Sequence, residues 1–481
     1  MSDKRSSVFS LILAFMLVFA VSPSLSEAQS RYDNSFPVRV GIFYGSISKI
    51  TYSVSGSSLE VYDASNKVIE TDSDTLTASV CQQIYTSSSA ESTFESARIS
   101  AEKYGVDALV YYDRGSFYAG SRSASSDLAS SGGSKVIFAM EGGLSVAVEG
   151  SKDIYVSSDD GVTYLGSSAY RGKLNFYIKG SALHAINEVG MQEYLYGVVP
   201  KEMVSSWELE ALKAQAIVAK NHVITNYSKH TSDGFNVCST THCQVYGGYS
   251  AEQPKTNRSV DETEGMIMTY RGAPAEAYFH SSSGGRTEAI GNMWNYSLDY
   301  MTGVKDPYST GTPYDSWEAN MTSSEIEQAL LSRGYDVGTV VGVKILEVSE
   351  NDRVMKLGVL GTKGMKILEK DSIRIVLGSS KFRSTYFTLK STSGSAPVSR
   401  SNDIGIRDSG LKNTFDRLDS FVSDRISDVS QDFVSGSSFV FSGRGFGHGI
   451  GLSQYGANNM AKEGYGYKEI ISHYFSGVTV G

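Results

Sequence analysis

Three short segments of this 481-residue chain contain the residues that could do chemistry. The first places a carboxylate, Glu202, in the sequence PKEM, directly before an apolar helical pattern. The second holds two cysteines and a histidine between Cys238 and Cys243. The third is the run Gly443–Ala457, where glycine recurs so often that the backbone must approach something closely. Together they indicate an extracytoplasmic enzyme that acts on a polar polymer.

Glu202 is the candidate general acid. Its predicted position, in a loop before a helix N-terminus and beside Lys201, favours the ionised carboxylate. A general acid needs the opposite, a desolvated carboxyl with a raised pKa. Nearby apolar residues could supply the wall that desolvates it: Val198, Val199, Met203 and Trp207. From the residues alone, the alternative is a solvated glutamate in a surface loop.

The elements that must position these residues predict an α+β fold, rich in strands, with a few helices. The clearest helix follows Glu202, where Ser205 and Glu208 fit a capping box in which each side chain serves the other's backbone N–H. Its apolar residues recur at helical spacing: Leu209, Leu212, Ala216, Ala219, Val223 and Tyr227. Further helices are predicted at Thr93–Tyr104, Ser323–Ser332 and Tyr467–Phe475, and strands dominate residues 135–200 and 265–390.

The Cys/His segment has two interpretations. Cys238, His242 and Cys243 are ligands that suit a tetrahedral Zn²⁺, and His230, eight residues before Cys238, is a candidate fourth ligand. A zinc with four protein ligands has no open position, so its role would be structural. The alternative is a short-loop disulfide between Cys238 and Cys243, which an oxidising compartment permits.

The first 28 residues have the pattern of an export signal. Lys4 and Arg5 precede an apolar run from Val8 to Val21, and the sequence SEA at 26–28 offers a small-x-small cleavage site. The run is shorter than the roughly 20 residues that span a bilayer core. We therefore expect a secreted or wall-associated protein, with an uncleaved N-terminal membrane anchor as the alternative. The net charge of −9 argues against nucleic acid and anionic membranes as partners.

Composition and residue pattern predict that the mature chain is divided into a small module, a linker and a main domain. Residues 36–120 read as a small α+β module that resembles the SPOR peptidoglycan-binding repeat, in which VxVGxF strands flank a helix. Residues 121–134 are rich in Ser and Gly and read as a linker. Residues 135–481 form the main domain, interrupted at 391–436 by a Ser/Asp-rich stretch with few large apolar residues that reads as a flexible insertion.

Several long motifs, in order, are similar to the stage II sporulation protein D / amidase enhancer LytB family (SpoIID/LytB). They are EYLYGVVPKEM followed by EALKAQAIVAK, HSSSGGRTE at 280–288, RIVLG at 374–378, STYF at 384–387 and GRGFGHGIGLSQYGANNMAKEGYGYKEIISHYF at 443–475. The similarity covers about residues 170–481 apart from the insertion. It implies a SpoIID/LytB-type catalytic domain.

The resemblance also implies a reaction. Sporulation members of that family are lytic transglycosylases, which cut the bond between N-acetylmuramic acid and N-acetylglucosamine in peptidoglycan, and their essential glutamate falls on Glu202. One acid would protonate the leaving oxygen and then take the proton of the muramic acid C6 hydroxyl, leaving a 1,6-anhydro end. No catalytic water is required, unlike in hydrolases with a carboxylate pair; the nearest candidates, Glu208 and Glu210, resemble helix-surface residues.

The resemblance extends to binding residues and partners. Some sporulation members bind zinc through a similar cluster, which here maps onto Cys238, His242 and Cys243, with His230 less certain in spacing. The expected partners are peptidoglycan glycan strands and a cell-wall amidase, since a non-catalytic amidase enhancer or a peptidoglycan-binding protein is the alternative function. The expected substrate-binding residues are Gln215, Gln244, Tyr246, Ser282, Ser283, His448, Ser453 and Gln454.

Two of the motifs also have plain interpretations. The segment from His280 to Gly285 could present hydroxyls and backbone N–H groups to a sugar, or form an ordinary Ser/Gly turn. The glycine-rich run is not a phosphate loop, because it lacks the Lys-Ser/Thr pair and the βαβ context of that motif. A lone histidine such as His448 is usually a hydrogen-bonded structural residue.

Overall fold

The computed structural model describes residues 35–391 and 433–481, without 65, 72, 141–144 and 151–153. The predicted export signal and all of the predicted insertion except its two ends lie outside the described residues. The described part is an α+β protein rich in strands, which confirms the predicted fold class. It has two main hydrophobic cores, the larger built from residues between 38 and 301 with 355 and 450–478, and the smaller from residues 317–387 with 439 and 441. A third, small cluster contains Ile84, Leu109, Tyr111, Ile137 and Ala147.

Two large sheets form the N-terminal half. The first has seven strands in the order β17-β1-β16-β15-β12-β3-β4 and the second has ten in the order β14-β13-β2-β5-β10-β11-β7-β8-β6-β9. The strands up to β9 are β1 (Pro37–Phe43), β2 (Thr51–Ser55), β3 (Leu59–Asp63), β4 (Asn66–Thr71), β5 (Thr75–Cys81), β6 (Ile84–Thr86), β7 (Ala108–Asp113), β8 (Ser116–Ser121) and β9 (Ala129–Ser131). The later ones are β10 (Lys135–Met140), β11 (Ser145–Glu149), β12 (Ile154–Ser158), β13 (Val162–Leu165), β14 (Ser168–Arg171), β15 (Lys173–Lys179), β16 (Ala182–Gly190) and β17 (Val237–Cys238).

The strand pairing corrects the predicted division at residues 121–134. Strand β1 pairs with β16 and β17, and β5 pairs with β10, so strands from 36–120 and from beyond 134 share both sheets. Residues 129–131 of the expected linker are themselves strand β9, paired with β6. Strand β2 alternates buried and exposed residues, whereas β11 is buried at four consecutive positions, so the shared sheets bury strands from both predicted halves.

Two consecutive helices lie beside the seven-stranded sheet and bury most of their side chains. Helix α2 (Met191–Glu202) follows β16 directly, and helix α3 (Leu209–Thr225) carries the predicted apolar residues into the core. The predicted capping box is wrong, because α3 begins at Leu209 with no side-chain cap at Glu208. Instead the Asn458 side chain accepts the backbone N–H of Glu208 at 3.0 Å, so a distant residue replaces the local cap.

The C-terminal half contains short sheets and the second core. The helices outside α2 and α3 are α1 (Phe94–Ala101), α4 (Pro254–Asp261), α5 (Ile290–Met293), α6 (Ser323–Leu331), α7 (Ser372–Leu377), α8 (Gln454–Lys462) and α9 (Tyr467–Tyr474). The remaining strands are β18 (Met268–Tyr270), β19 (Ala273–Pro274), β20 (Phe279–His280), β21 (Trp317–Thr322), β22 (Val340–Val348), β23 (Val354–Gly361), β24 (Gly364–Glu369), β25 (Phe387–Ser391), β26 (Val434–Ser435), β27 (Ser438–Gly443), β28 (Leu452–Ser453) and β29 (Thr479–Val480). Helices α1, α6 and α9 confirm the three shorter helical predictions.

Short sheet pairs bring the distant motifs together. Strand β20 runs parallel to β28, which places the Ser/Gly segment that begins at His280 beside the end of the glycine-rich run. Strands β21, β25 and β27 form one sheet of the second core, and β22, β23, β24 and β26 form the other. In the part of the chain that the structure describes, no helix has the length and apolar character needed to cross a membrane.

Candidate functional site

Glu202 is the last residue of helix α2, which corrects its predicted place in a loop before the next helix. Its side chain is partly buried, and Oε1 accepts the backbone N–H of Val245 at 2.8 Å. The carboxyl group is therefore held by a single backbone amide from the loop that follows the Cys/His segment.

The surroundings of Glu202 raise the pKa of its carboxyl group. Burial is the largest cause, and it outweighs three effects that favour the anion: the Val245 amide, the Gln454 side chain and the charge of Lys201. The expectation of a stabilised carboxylate is wrong, because burial disfavours the charged form, and because Glu202 ends helix α2 rather than preceding a helix N-terminus. A raised pKa keeps more of the group protonated near neutral pH, as a general acid requires.

A buried glutamine, Gln454, acts on this carboxyl group, and it contacts a second buried glutamine, Gln215. Gln454 is the first residue of α8, and its Nε2 donates to Oε1 of Gln215 on α3 at 3.3 Å. The structure thus brings Gln454 to Glu202 and Gln215 to Gln454, from two different helices, and the buried Nε2 of Gln215 has no hydrogen-bond partner among the described residues.

Gln244 and Tyr246 lie inside the protein rather than at the edge of a groove. The Tyr246 hydroxyl donates to Oδ1 of Asn187 at 2.6 Å, and its ring stacks on Tyr194 with centroids 5.2 Å apart. Gln244 donates to the Tyr194 hydroxyl and to the carbonyl of Ala219. Both side chains are buried and anchor the loop that carries Val245. Their burial therefore does not support the prediction that they contact substrate.

Ser282, Ser283 and Ser453 are also fully buried. Ser283 Oγ donates to Asp306 at 2.7 Å, and its backbone N–H donates to Ser453 Oγ at 3.2 Å. Burial raises the pKa of Asp306, although hydrogen bonds from the hydroxyls of Ser283, Ser453 and Tyr474 act to lower it. Sequence reasoning missed Asp306, because no local pattern around it indicates its contact with Ser283, 23 residues earlier in the chain. This network ties the Ser/Gly segment to α8 and leaves the hydroxyl of Ser282 without a partner among the described residues.

The glycine-rich run packs against protein, not against open space. A Cβ on Gly445 would lie 2.8 Å from the carbonyl oxygen of Ser282, and one on Gly451 would lie 2.1 Å from that of Tyr278. A Cβ on Gly449 would meet the guanidinium of the fully buried Arg353 at 2.4 Å. The close approach predicted for these glycines is therefore real, but the neighbour is the chain itself.

His448 lies in an aromatic cluster on the same run. Its ring centroid is 5.6 Å from that of His280, 5.7 Å from Trp294 and 6.5 Å from Tyr278, and its Nδ1 accepts the N–H of Ile450 at 3.0 Å. Burial lowers the pKa of His448 to about 4, so the ring is neutral at neutral pH. These contacts give His448 a structural role and do not bring it to Glu202 within the described residues.

Glu208 and Glu210 are the nearest candidates in the sequence for a second carboxylate, and both have other surroundings. Glu208 is exposed. Glu210 accepts the backbone N–H of Tyr467 at 2.9 Å and Lys213 Nζ at 2.7 Å, so it caps helix α9. Both are surface or structural residues, as predicted.

The Cys/His segment forms a compact four-residue cluster with His230. One ligand atom from each of His230, Cys238, His242 and Cys243 lies within 4.8 Å of all the others. His230 Nε2 is 3.3 Å from His242 Nδ1, and Cys243 Sγ is 3.5 Å from His230 Nε2 and 3.8 Å from His242 Nδ1. Cys238 Sγ is 3.7 Å from the same Nδ1, and both cysteines are free thiols.

These distances fit a tetrahedral metal ion. Zinc bonds of about 2.3 Å to sulfur and about 2.05 Å to nitrogen place tetrahedral ligand atoms about 3.3 Å apart for two nitrogens and about 3.6 Å apart for sulfur and nitrogen. His230 Nδ1 also lies 3.5 Å from a carboxylate oxygen of Asp233, the kind of outer contact that orients a ligating imidazole. The residues present therefore fit a four-ligand zinc site with no open position.

The cluster is connected directly to Glu202. Cys238 ends strand β17, which pairs with β1, and Cys243 is two residues before Val245, whose amide holds the Glu202 carboxyl group. An ion bound by the Cys/His cluster would therefore also restrict the movement of the Val245 amide.

Comparison with known proteins finds matches over the part of the chain that contains this site. Residues 179–270, which include Glu202 and the whole Cys/His cluster, match the family model SpoIID, described as stage II sporulation protein. Residues 303–402 match a second model, a domain of unknown function called DUF8618.

Three curated relatives are similar over most of the same region. The amidase enhancer of Bacillus subtilis (strain 168) is 33% identical over 300 residues, which are 60% of this chain and 40% of that protein. Stage II sporulation protein D of the same organism is 28% identical over 315 residues, covering 62% of this chain and 77% of that protein. Its counterpart in Bacillus amyloliquefaciens is 27% identical, covering 62% and 76%. Residues 179–270 of this chain are therefore similar to the SpoIID family, and Glu202 and the Cys/His cluster lie inside that segment.

Proposed function

We propose that this protein is a peptidoglycan lytic transglycosylase in which Glu202 is the catalytic acid and base. The observation that carries the proposal is the state of that carboxyl group: partly buried, raised in pKa and held by the Val245 amide. The role in sporulation or wall remodelling follows from the names of the relatives and is part of the proposal.

The reaction needs only one carboxyl group. Protonated Glu202 gives its proton to the oxygen between N-acetylmuramic acid and N-acetylglucosamine, and the C1–O bond breaks. The resulting carboxylate takes the proton of the muramic acid C6 hydroxyl as O6 bonds to C1. The acid is regenerated, and the products are a free N-acetylglucosamine end and a 1,6-anhydro-muramic acid end. Glu208 is exposed and Glu210 caps helix α9, so neither is proposed as the second carboxylate that a hydrolase would need.

Zinc at His230, Cys238, His242 and Cys243 belongs to the same proposal. Its function is to hold the loop that presents the Val245 amide to Glu202, because the four ligands leave no position for a reacting group. An extracytoplasmic location, through the export signal of residues 1–28, follows from the substrate, since peptidoglycan lies outside the membrane.

A second candidate function is stimulation of a cell-wall amidase. It is favoured by the 33% identity to a protein named amidase enhancer, of which this chain covers 40%. The two functions make different demands on Glu202, because stimulation by binding does not require an acid.

The test is digestion of glycan strands that have been freed of stem peptides, followed by mass spectrometry of the products. The wild-type protein should release fragments with 1,6-anhydro ends, and Glu202→Gln should release none. Glu208→Gln is the matched control, because it changes an exposed glutamate six residues away and should retain full activity. If Glu202→Gln cuts glycan as the wild type does, Glu202 is not the catalytic group. If neither protein cuts, but both stimulate an amidase, the second candidate is correct.

A further inference from the structure

Four aromatic side chains form a continuous row beside the Glu202 site. The ring centroids of Trp207 and Tyr455 are 4.7 Å apart, those of Tyr455 and Tyr314 5.4 Å, and those of Tyr314 and Phe446 5.0 Å. Each pair meets edge to face, and all four side chains remain partly exposed. We call these four residues the aromatic row.

Core packing does not account for the row. Tyr314, Tyr455 and Phe446 belong to neither hydrophobic core, and only Trp207 packs against the larger one. The rings lie where the chain passes between the cores, since Tyr314 precedes β21 and Phe446 follows β27, the strands through which the chain enters and leaves the smaller core. Partly exposed rings outside a core are costly to leave against water, so a ligand that covers them gains from their burial.

The row is connected to Glu202 through neighbouring residues in the chain. Tyr455 directly follows Gln454, whose side chain lowers the pKa of Glu202, and Trp207 lies five residues after Glu202. Beside the third ring, the Arg383 guanidinium is 5.3 Å from the centroid of Tyr314. The row therefore crosses the boundary between the two cores and has a cation next to its third ring.

The chemistry of the row fits a polysaccharide. The C–H faces of pyranose rings are apolar and pack on aromatic rings, while their hydroxyls need polar partners, which tyrosine and arginine side chains provide. A row of successive rings matches a polymer of successive sugars, whereas a single small ligand would need one closed pocket. We propose that the aromatic row is a glycan-binding subsite that holds the chain on one side of the cleaved bond. The assignment rests on the proposed function for its substrate, peptidoglycan glycan.

The test measures binding without cleavage. Every protein carries Glu202→Gln, and the probe is glycan strands purified from peptidoglycan and freed of stem peptides. Tyr314→Ala and Tyr455→Ala should each weaken binding about tenfold, as truncation of an interface aromatic commonly does. Tyr335→Ala is the matched control, because Tyr335 is an exposed tyrosine after helix α6, outside the row, and should leave binding unchanged.

A second variant separates stacking from loss of fold. Tyr314→Phe keeps the ring and should bind within about twofold of the parent, and melting temperatures of all variants should be measured on the same preparations. Unchanged binding by folded Tyr314→Ala and Tyr455→Ala would overturn the proposal, as would an equal loss in Tyr335→Ala. The binding result is independent of catalysis. Row-dependent binding, with no cleavage by the protein that keeps Glu202, would refute the transglycosylase and keep the subsite, whereas Glu202-dependent cleavage with row-independent binding would do the reverse.

Discussion

Replacing Cys243 by serine should release the metal that we place in the Cys/His cluster and lower the stability of the protein. The four ligand atoms already lie at tetrahedral distances, so the chain needs little rearrangement to bind zinc. A ligand present at 100 times its dissociation constant stabilises the folded state by about 2.7 kcal/mol. A change of 1 kcal/mol moves the melting temperature by about 2–4 °C in domains of 150–250 residues, so we expect a fall of about 5–10 °C.

The assay combines elemental analysis with thermal unfolding. Wild-type protein should contain about one zinc per chain, and Cys243→Ser much less. Cys81→Ser is the control, because Cys81 lies outside the cluster and is partly exposed, so it should keep both zinc and melting temperature. Cys243→Ser should also cut glycan more slowly, since the loop that holds Val245 loses its anchor. A wild-type protein with no metal and a Cys238–Cys243 disulfide in peptide mapping would refute the zinc site.

Three further predictions follow from the same structure. Burial raises the pKa of Glu202, so its ionisation destabilises the folded state: the protein loses stability as the pH rises from the unfolded-state pKa through the higher folded-state pKa. The melting temperature of Glu202→Gln relative to wild type should therefore increase between acid and neutral pH, and a constant difference would contradict the raised pKa. His448→Ala should destabilise the protein by about 1–3 kcal/mol, because the buried N–H of Ile450 loses its acceptor, and an unchanged denaturation midpoint would refute this. Gly197→Ala should cost about 1–3 kcal/mol in chemical denaturation, because its Cβ would lie 2.5 Å from the Tyr246 ring; a neutral effect would mean that the ring moves freely.

The sequence was most informative where the signal was local. The apolar spacing of α3 and the start of α6 could be predicted because helical periodicity and caps depend on residues a few positions apart. The closeness of Cys238, His242 and Cys243 in the chain likewise indicated a metal site, and the structure places the candidate fourth ligand, His230, at ligand distance.

Non-local contacts explain what the sequence could not provide. Local residues suggested an ionised Glu202 and a Ser205–Glu208 cap, but burial decides the first and Asn458, 250 residues away, replaces the second. The interleaved sheets follow from strand pairs such as β1 with β16, which composition does not reveal. The burial of Tyr246 depends on Asn187 and Tyr194 in the same way.

The central claim is that Glu202 cuts glycan without water, and isotope labelling tests it most directly. Glycan strands freed of stem peptides are digested in water enriched in ¹⁸O, and the new muramic acid ends are analysed by mass spectrometry. We predict ends that lack one water relative to a hydrolysed product and carry no ¹⁸O, and that disappear with Glu202→Gln. New reducing ends that carry ¹⁸O would show hydrolysis and contradict the account.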